Sequence, residues 1–455
     1  MKHPLLVAAF LLLPLLCFSQ GITFEQGSWK DALALAKQTG KPVLLYVYFS
    51  DVEISRSIDE SMNKNVFSSE TVGDVCKTYF VCYRMDASKK EGLELAKKYG
   101  LIKRPAVQFV NADGTLLSNM QIMMSADDFL QGAKKVLLDL RDPKPMTAWE
   151  AEYTHKKKDP AFLLDYINKR KELGLSINEA FDAYLRLLPA SEPMPLEAAR
   201  LFQLNRYGLL AIEYSFQFFL TNRKAYFETL AKASGGRYYE DYRVFQDVVD
   251  HTISVATVHE DEALLKKAIA AFQQIPYNSD NKQVEELFMD YYKQINEPDK
   301  YLAHARLFMA DNLKKLDSEE LLMKNNTRLK NYEERIASET DTARVKSLVR
   351  YMKEIPGVER SQLCTKLNGI TWYIFQNYSD ETVLKEALTW SEKTVQLNPT
   401  SYMYLDTNAN ILYKLGRKEE AIALQKRAVA SYTGSPDYAS FSNTLKKMEA
   451  GEKTW

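Results

Sequence analysis

Cys76 and Cys82 are the residues of this chain best placed by type and spacing for chemistry, because they are its only nearby pair of thiols. Cys76 falls late in an expected helix and Cys82 in the strand that follows. Such a pair can act as a redox couple or close as a local disulfide. The plainer reading is two small buried hydrophobes, since helix-to-strand geometry need not bring their α-carbons within disulfide reach. Cys364 reads as core. Ser55, with Glu53 nearby, offers a hydroxyl, but no histidine or lysine accompanies it to activate a nucleophile. A serine at a helix start reads instead as a cap or surface residue. His251 and His259 stand eight apart on one expected helix. Two turns is farther than one metal ion usually bridges, so both read as solvated surface. No metal site is expected. No glycine-rich phosphate loop is present, and no motif asks for a cofactor.

The elements around these residues change character along the chain. A short amphipathic helix spans 29–38 and ends at Gly40, and a continuous apolar run over 42–49 reads as a strand buried on both faces. Helical patterns at 55–67 and 68–79 lead to a strand at 80–85, and a charged helix at 90–99 is closed by Gly100. A strand at 105–110, a turn at Asp113-Gly114, a return strand to residue 120 and a helix at 127–138 complete the pattern. This order is βαβ, a hairpin and a helix, with a parallel pair expected in the centre and an antiparallel edge. Arg141-Asp142-Pro143-Lys144-Pro145 reads as a linker, because two prolines block helix continuation. From residue 147 onward the pattern is helical, with one hairpin at 161–173 and 177–188 joined at Gly174, and another helix expected at 209–219.

At 455 residues, two to three domains are expected. Basic and acidic residues are equal at 60 each, so the net charge exerts no general pull on nucleic acid. The first nineteen residues read as a signal peptide, with Lys2 and His3 before an apolar stretch from Leu5 to Leu16. Cys17 raises lipoprotein anchoring, but Leu16 is not the small residue that a lipobox needs. The expected product is exported, periplasmic in a Gram-negative cell, and without an integral membrane segment after cleavage. Only three cysteines would then remain, too few for a disulfide scaffold.

Residues 21–140 resemble a thioredoxin-like domain that lacks its reactive cysteines. The resemblance rests on Gly40-Lys41-Pro42-Val43, Tyr48-Phe49-Ser50, Met85-Asp86, Tyr99-Gly100-Leu101 and Arg104-Pro105. It places Val52 and Ser55 in the two cysteine slots, Asp51 in the tryptophan position before them and Tyr46 where redox-active members keep a buried aspartate. It implies a cis Arg104–Pro105 bond facing the start of the helix near Asp51, which makes Asp51, Arg104 and Pro105 the peptide-binding candidates. Neither Val52 nor Ser55 can supply a thiolate.

Residues 404–432 resemble a tetratricopeptide repeat. Ala409 takes the small slot of the first helix, Leu415-Gly416-Arg417 the turn, and Ala421 and Ala428 the small slots of the second. The preceding unit has Ala387 in the matching slot and ends Leu397-Asn398-Pro399. The expected architecture is an α/β thioredoxin-like domain at 21–140, a linker at 141–146, an all-helical region at 147–360, and repeats with a capping helix at 361–450. Most of the 27 tyrosines read as core, with Tyr402, Tyr404 and Tyr413 as a minority that could line a concave groove. The leading functional expectation is a non-catalytic, chaperone-like or protein-interaction module with protein or peptide partners. The alternative is a thiol-disulfide oxidoreductase using Cys76 and Cys82.

Overall fold

The computed structural model describes residues 21–455 apart from 103–104, 121–124, 190–192, 237–240, 277–282, most of 317–340, 355–357 and 432–437. The expected signal segment, Cys17 and Arg104 lie outside the described residues, and with Arg104 goes the bond that joins it to Pro105. The chain divides into two compact units, one ending at Asn281 and one running from Lys282 to Trp455.

The first unit opens with helix α1 (Trp29–Thr39). Ser28 caps it, accepting from the Asp31 N–H while the Asp31 carboxylate accepts from the Ser28 N–H. Gly40, at φ 66°, ends it in the left-handed conformation that glycine adopts without strain. The α/β part continues through β1 (Val43–Tyr48), α2 (Glu53–Met62), α3 (Glu70–Tyr79), β2 (Val81–Asp86), α4 (Lys90–Lys98), β3 (Ala106–Val110), β4 (Leu116–Met120) and α5 (Ala126–Asp139). A single π-helical turn, Asn63–Phe67, extends α2.

The strands form one sheet in the order β2-β1-β3-β4. β1 runs parallel to β2, with Tyr48 opposite Asp86, and antiparallel to β3, with Val47 opposite Ala106. This corrects the expectation of a central parallel pair. The crossover delivers β2 to the outside of β1, and the hairpin takes the other flank of β1. Alternation along β1 feeds two cores. Val43, Leu45 and Val47 pack with Trp29, Tyr83 and Leu95, while Leu44 and Tyr46 pack with Met62, Phe67 and Phe129.

Both outer strands are met by other parts of the unit. The Glu25 N–H donates to the Cys82 carbonyl at 2.8 Å on β2. On β4 the Asn119 N–H donates to Leu173 O at 3.0 Å, and Ser118 Oγ donates to the same carbonyl at 2.7 Å. Leu173 belongs to the turn between α7 (Pro160–Glu172) and α8 (Asn178–Arg186). Segment 141–145 is also held: Lys169 of α7 reaches Asp139 at 2.7 Å and Asp142 at 3.3 Å, and Asp139 accepts from the Met146 N–H at 3.2 Å. The helical part runs on through α6 (Met146–Lys156), α7 and α8 to α9 (Leu196–Asn205), α10 (Tyr214–Thr221), α11 (Arg223–Ala233), α12 (Arg243–His259) and α13 (Glu262–Phe272), with α12 packed on α4.

The helix expected at 209–219 begins only at Tyr214. Asp182 of α8 takes the Tyr214 and Ser215 N–H groups at 3.0 and 2.8 Å, which fixes the first turn there. His251 is not solvated surface. Burial holds its imidazole down at about 4, so it is neutral at pH 7.

The second unit contains α14 (Val284–Gln294), α15 (Pro298–Lys315), α16 (Thr342–Glu354), α17 (Val358–Asn377), α18 (Glu381–Leu397), α19 (Tyr402–Lys414), α20 (Lys418–Ser431) and α21 (Tyr438–Glu449). Every residue of α19 from Tyr404 to Tyr413 is buried, because α17, α18 and α20 all pack on it. Ala387, Ala409, Ala421 and Ala428 are fully buried. Tyr404 and Tyr413 are core residues rather than groove lining. The Tyr404 hydroxyl meets Thr365 Oγ1 at 3.0 Å, and the Tyr413 hydroxyl donates to Met448 O at 3.2 Å. Tyr402 is half-buried beside Phe441. Among the described residues no helix is long and apolar enough to cross a membrane.

Candidate functional site

The C-terminal ends of β1 and β2 and the start of α2 bring together the residues expected to matter most. Val52 is the N-cap residue of α2 and makes no side-chain cap; its side chain packs against the core that contains Val47 and Phe49. Ser55, one turn on, is fully buried. Its Oγ accepts from the Phe49 N–H at 2.8 Å. This corrects the reading of Ser55 as a cap or surface residue. It fastens the first turn of α2 under the end of β1, where the strand ladder no longer satisfies the Phe49 donor. Its hydroxyl is thereby committed to structure. Ile54, between the two slots, is 60% exposed and is the apolar tip of this surface.

A polar cluster surrounds Asp51. Ser50 donates to Asp86 through its N–H at 3.2 Å and its hydroxyl at 2.7 Å, and the Ser88 N–H adds a third bond at 3.1 Å. Burial pulls the Asp86 carboxyl upward, but these hydrogen bonds outweigh it and hold the group below the usual carboxylate range. The Asp51 N–H donates to Ser88 Oγ at 3.1 Å, and the Ser88 hydroxyl donates back to the Asp51 carboxylate. Sequence reading missed Ser50, Asp86 and Ser88 as a group. Their only signal is that two strand ends each carry a serine and an aspartate. Pro105 is buried next to Ala106, which faces Val47, so it stands at the same end of the sheet as Asp51 and Val52.

Cys76 and Cys82 lie elsewhere. Both are free and buried, and both belong to the core that contains Leu44 and Phe80. Cys82 is registered against Leu44, near the opposite end of β1 from the two slots. Leu44 and Phe49 are five residue steps apart, roughly 16 Å along an extended chain. The adjoining Cys76 thiol and then burial push the Cys82 thiol far above its ordinary range, so it stays protonated at neutral pH.

Tyr46, in the position of the expected aspartate, is fully buried with its ring 4.8 Å from Phe67. Burial and then the Asp59 carboxylate raise its phenol. Arg84, registered opposite Tyr46, pairs with Asp59 at 2.6 Å, bonds Asn63 at 3.1 Å and lies 4.6 Å from the Tyr48 ring centroid. This arrangement ties β2 to α2 and its π turn. Among the described residues no three His, Cys, Asp or Glu side chains are grouped to hold a metal.

Replacing Ser55 with alanine leaves the buried Phe49 N–H without its acceptor. The expected cost is about 1–3 kcal/mol, the penalty for an unsatisfied buried donor. A urea midpoint unchanged from wild type would show that this bond does not hold α2 to β1.

The comparisons agree with this geometry for one part of the chain. No curated protein matches the sequence. The family model of the thioredoxin-like domain matches residues 29–137, from α1 to the last turns of α5. The N-terminal part is therefore a thioredoxin-like α/β domain, and the long region after it is helical.

Proposed function

We propose that this chain is an exported, non-catalytic protein-interaction module, in which a thioredoxin-like domain without its redox chemistry is joined to helical repeats of tetratricopeptide type. One observation carries the reading. Both cysteine slots are spent on structure, Val52 packed against the core and Ser55 on the Phe49 N–H. The remaining thiols of the domain are buried near the far end of β1 and cannot meet a substrate at the Asp51 and Ile54 surface. What remains there is an exposed Ile54 beside a polar rim, a surface suited to contact rather than electron transfer. The buried Ala387, Ala409, Ala421 and Ala428 support the repeat reading, because small residues let helix axes come close. The partners are proteins or extended peptides.

Reduced protein mixed with insulin and a dithiol donor should give no more precipitation than the donor alone. Robust turnover that disappears in Cys76→Ala or Cys82→Ala would replace this reading with a thiol-disulfide oxidoreductase working through that pair.

A further inference from the structure

Cys76 and Cys82 are brought together by the fold, and the interaction-module reading gives them no task. Cys76 sits in the last turn of α3 and Cys82 on β2, and both are buried. α3 packs on β2, and both side chains enter the core that contains Leu44 and Phe80. The chain between them turns a tight corner. The Phe80 N–H donates to Cys76 O at 2.9 Å, and Lys41 Nζ donates to Lys77 O at 2.9 Å, which pins the corner to the segment before β1. The two thiols are hydrogen-bonding neighbours. Sulfurs that already meet have the converging side-chain directions that a disulfide requires. β2 stands at the end of the sheet order, so a link from α3 would fasten an outer strand.

We propose that Cys76 and Cys82 are joined by a structural disulfide when the chain folds in an oxidising compartment. The inference rests on the exported part of the reading above and does not depend on what the module binds. Glutathione disulfide, or a protein that donates its disulfide, is the oxidant. A thiolate of the pair attacks it, its S–S bond breaks, and one glutathione leaves as a mixed disulfide forms. The second cysteine attacks that mixed bond, the protein S–S bond forms, and the second glutathione leaves. Two protein thiols are oxidised, one glutathione disulfide is reduced, and the two protons end on the released glutathione thiols. The exchange belongs to folding, before the corner closes, because buried protonated thiols are poor nucleophiles. Once enclosed, the bond is shielded from reducing thiols. That separates it from a catalytic couple, whose attacking sulfur must be reached.

The test unfolds the full chain, refolds it in glutathione buffers of graded ratio, and alkylates the remaining thiols with N-ethylmaleimide in denaturant. Trypsin cuts after Lys77 and so places the two cysteines on different peptides. A linked pair then appears as one mass that reduction splits in two. In an oxidising buffer the linked form should exceed the alkylated peptides by about tenfold or more. Half-linkage of the folded chain should also need a buffer more reducing by about tenfold or more than that of the chain kept in urea. Alkylated peptides that predominate after oxidative refolding would overturn the bond, and with no insulin turnover the module reading would stand without it. Equal half-linkage ratios in the folded and unfolded chain would also overturn it, because the fold would then not favour the link. Linkage accompanied by insulin turnover that is lost in Cys76→Ala would make the pair a catalytic couple and overturn both readings.

Discussion

Replacing Gly174 with alanine is expected to destabilise the first unit by about 3 kcal/mol and to uncover the outer edge of β4. Gly174 follows α7 with φ at 68°. A side chain in that left-handed region costs about 1–2 kcal/mol by itself. A Cβ would also meet Asn119 O at 1.9 Å, so the turn must move away from the strand. That movement strains the two bonds that the Leu173 carbonyl accepts from Asn119 and Ser118, each worth about 1 kcal/mol. An uncovered strand edge is a template for pairing with another chain, so the variant should also self-associate more readily. Urea unfolding and amide exchange at Asn119 test this. An unchanged midpoint with unchanged protection of that amide would show that the turn does not guard the edge.

Gly174 also marks where sequence reading succeeds and where it stops. The hairpin of α7 and α8 is visible in the apolar spacing and the glycine between the helices. Its docking on β4 is not, because the contact joins residues 55 apart in sequence through a backbone carbonyl, which carries no side-chain signature. The strands were legible for a similar reason. β1 is a run of Val, Leu and Tyr, and only a strand covered on both faces would use it. The outer position of β2 was not legible, since the same βαβ pattern permits either neighbour order. Ser55 was misread because a polar residue at a helix start usually faces water. Here the end of the preceding strand supplies a buried donor that needs it. His251 was misread in the same direction, as a polar side chain enclosed by its surroundings.

α19 shows the limit most clearly. The segment Asp406-Thr407-Asn408-Ala409-Asn410 looks like a solvated helix face, yet it is the central helix of its neighbourhood. Several of its polar groups are answered internally. Gln425 donates to Asp406 at 2.7 Å, Asn410 donates to the Asp406 carbonyl at 2.8 Å, and Thr407 donates to Met403 O at 3.0 Å. Burial pushes the Asp406 carboxyl up to about 6 despite the bond from Gln425. Periodicity alone cannot distinguish such a helix from an exposed one, because satisfied polar groups and solvated ones have the same letters.

Glu213 should make the stability of the first unit fall as pH rises, and Glu213→Gln should abolish that fall. Its carboxyl accepts from the Leu210 N–H at 2.9 Å and from the Asn178 amide at 2.8 Å. Burial pushes the group up to about 7, these two bonds pull it back, and the Asp182 charge adds to the rise. A carboxyl whose folded value lies above its unfolded value stabilises the fold fully below about pH 4.5, and that contribution is lost as pH rises through about 7. The change is on the order of 3 kcal/mol, since each tenfold change in proton affinity is worth about 1.4 kcal/mol. His251 acts in the opposite direction. Its value is depressed to about 4, so its contribution is present above 6.5 and is lost as pH falls through about 4. The two partly cancel in the wild-type curve, so the informative quantity is the difference between variant and wild type. Glutamine keeps an acceptor for the Leu210 N–H and has the donors and acceptors of a protonated glutamate. The difference should therefore be near zero at pH 4 and should grow to about 1–3 kcal/mol in favour of the variant at pH 8. A flat difference between those limits would mean that Glu213 is ionised in the fold at little cost, and that the bonds from Leu210 and Asn178 outweigh its burial.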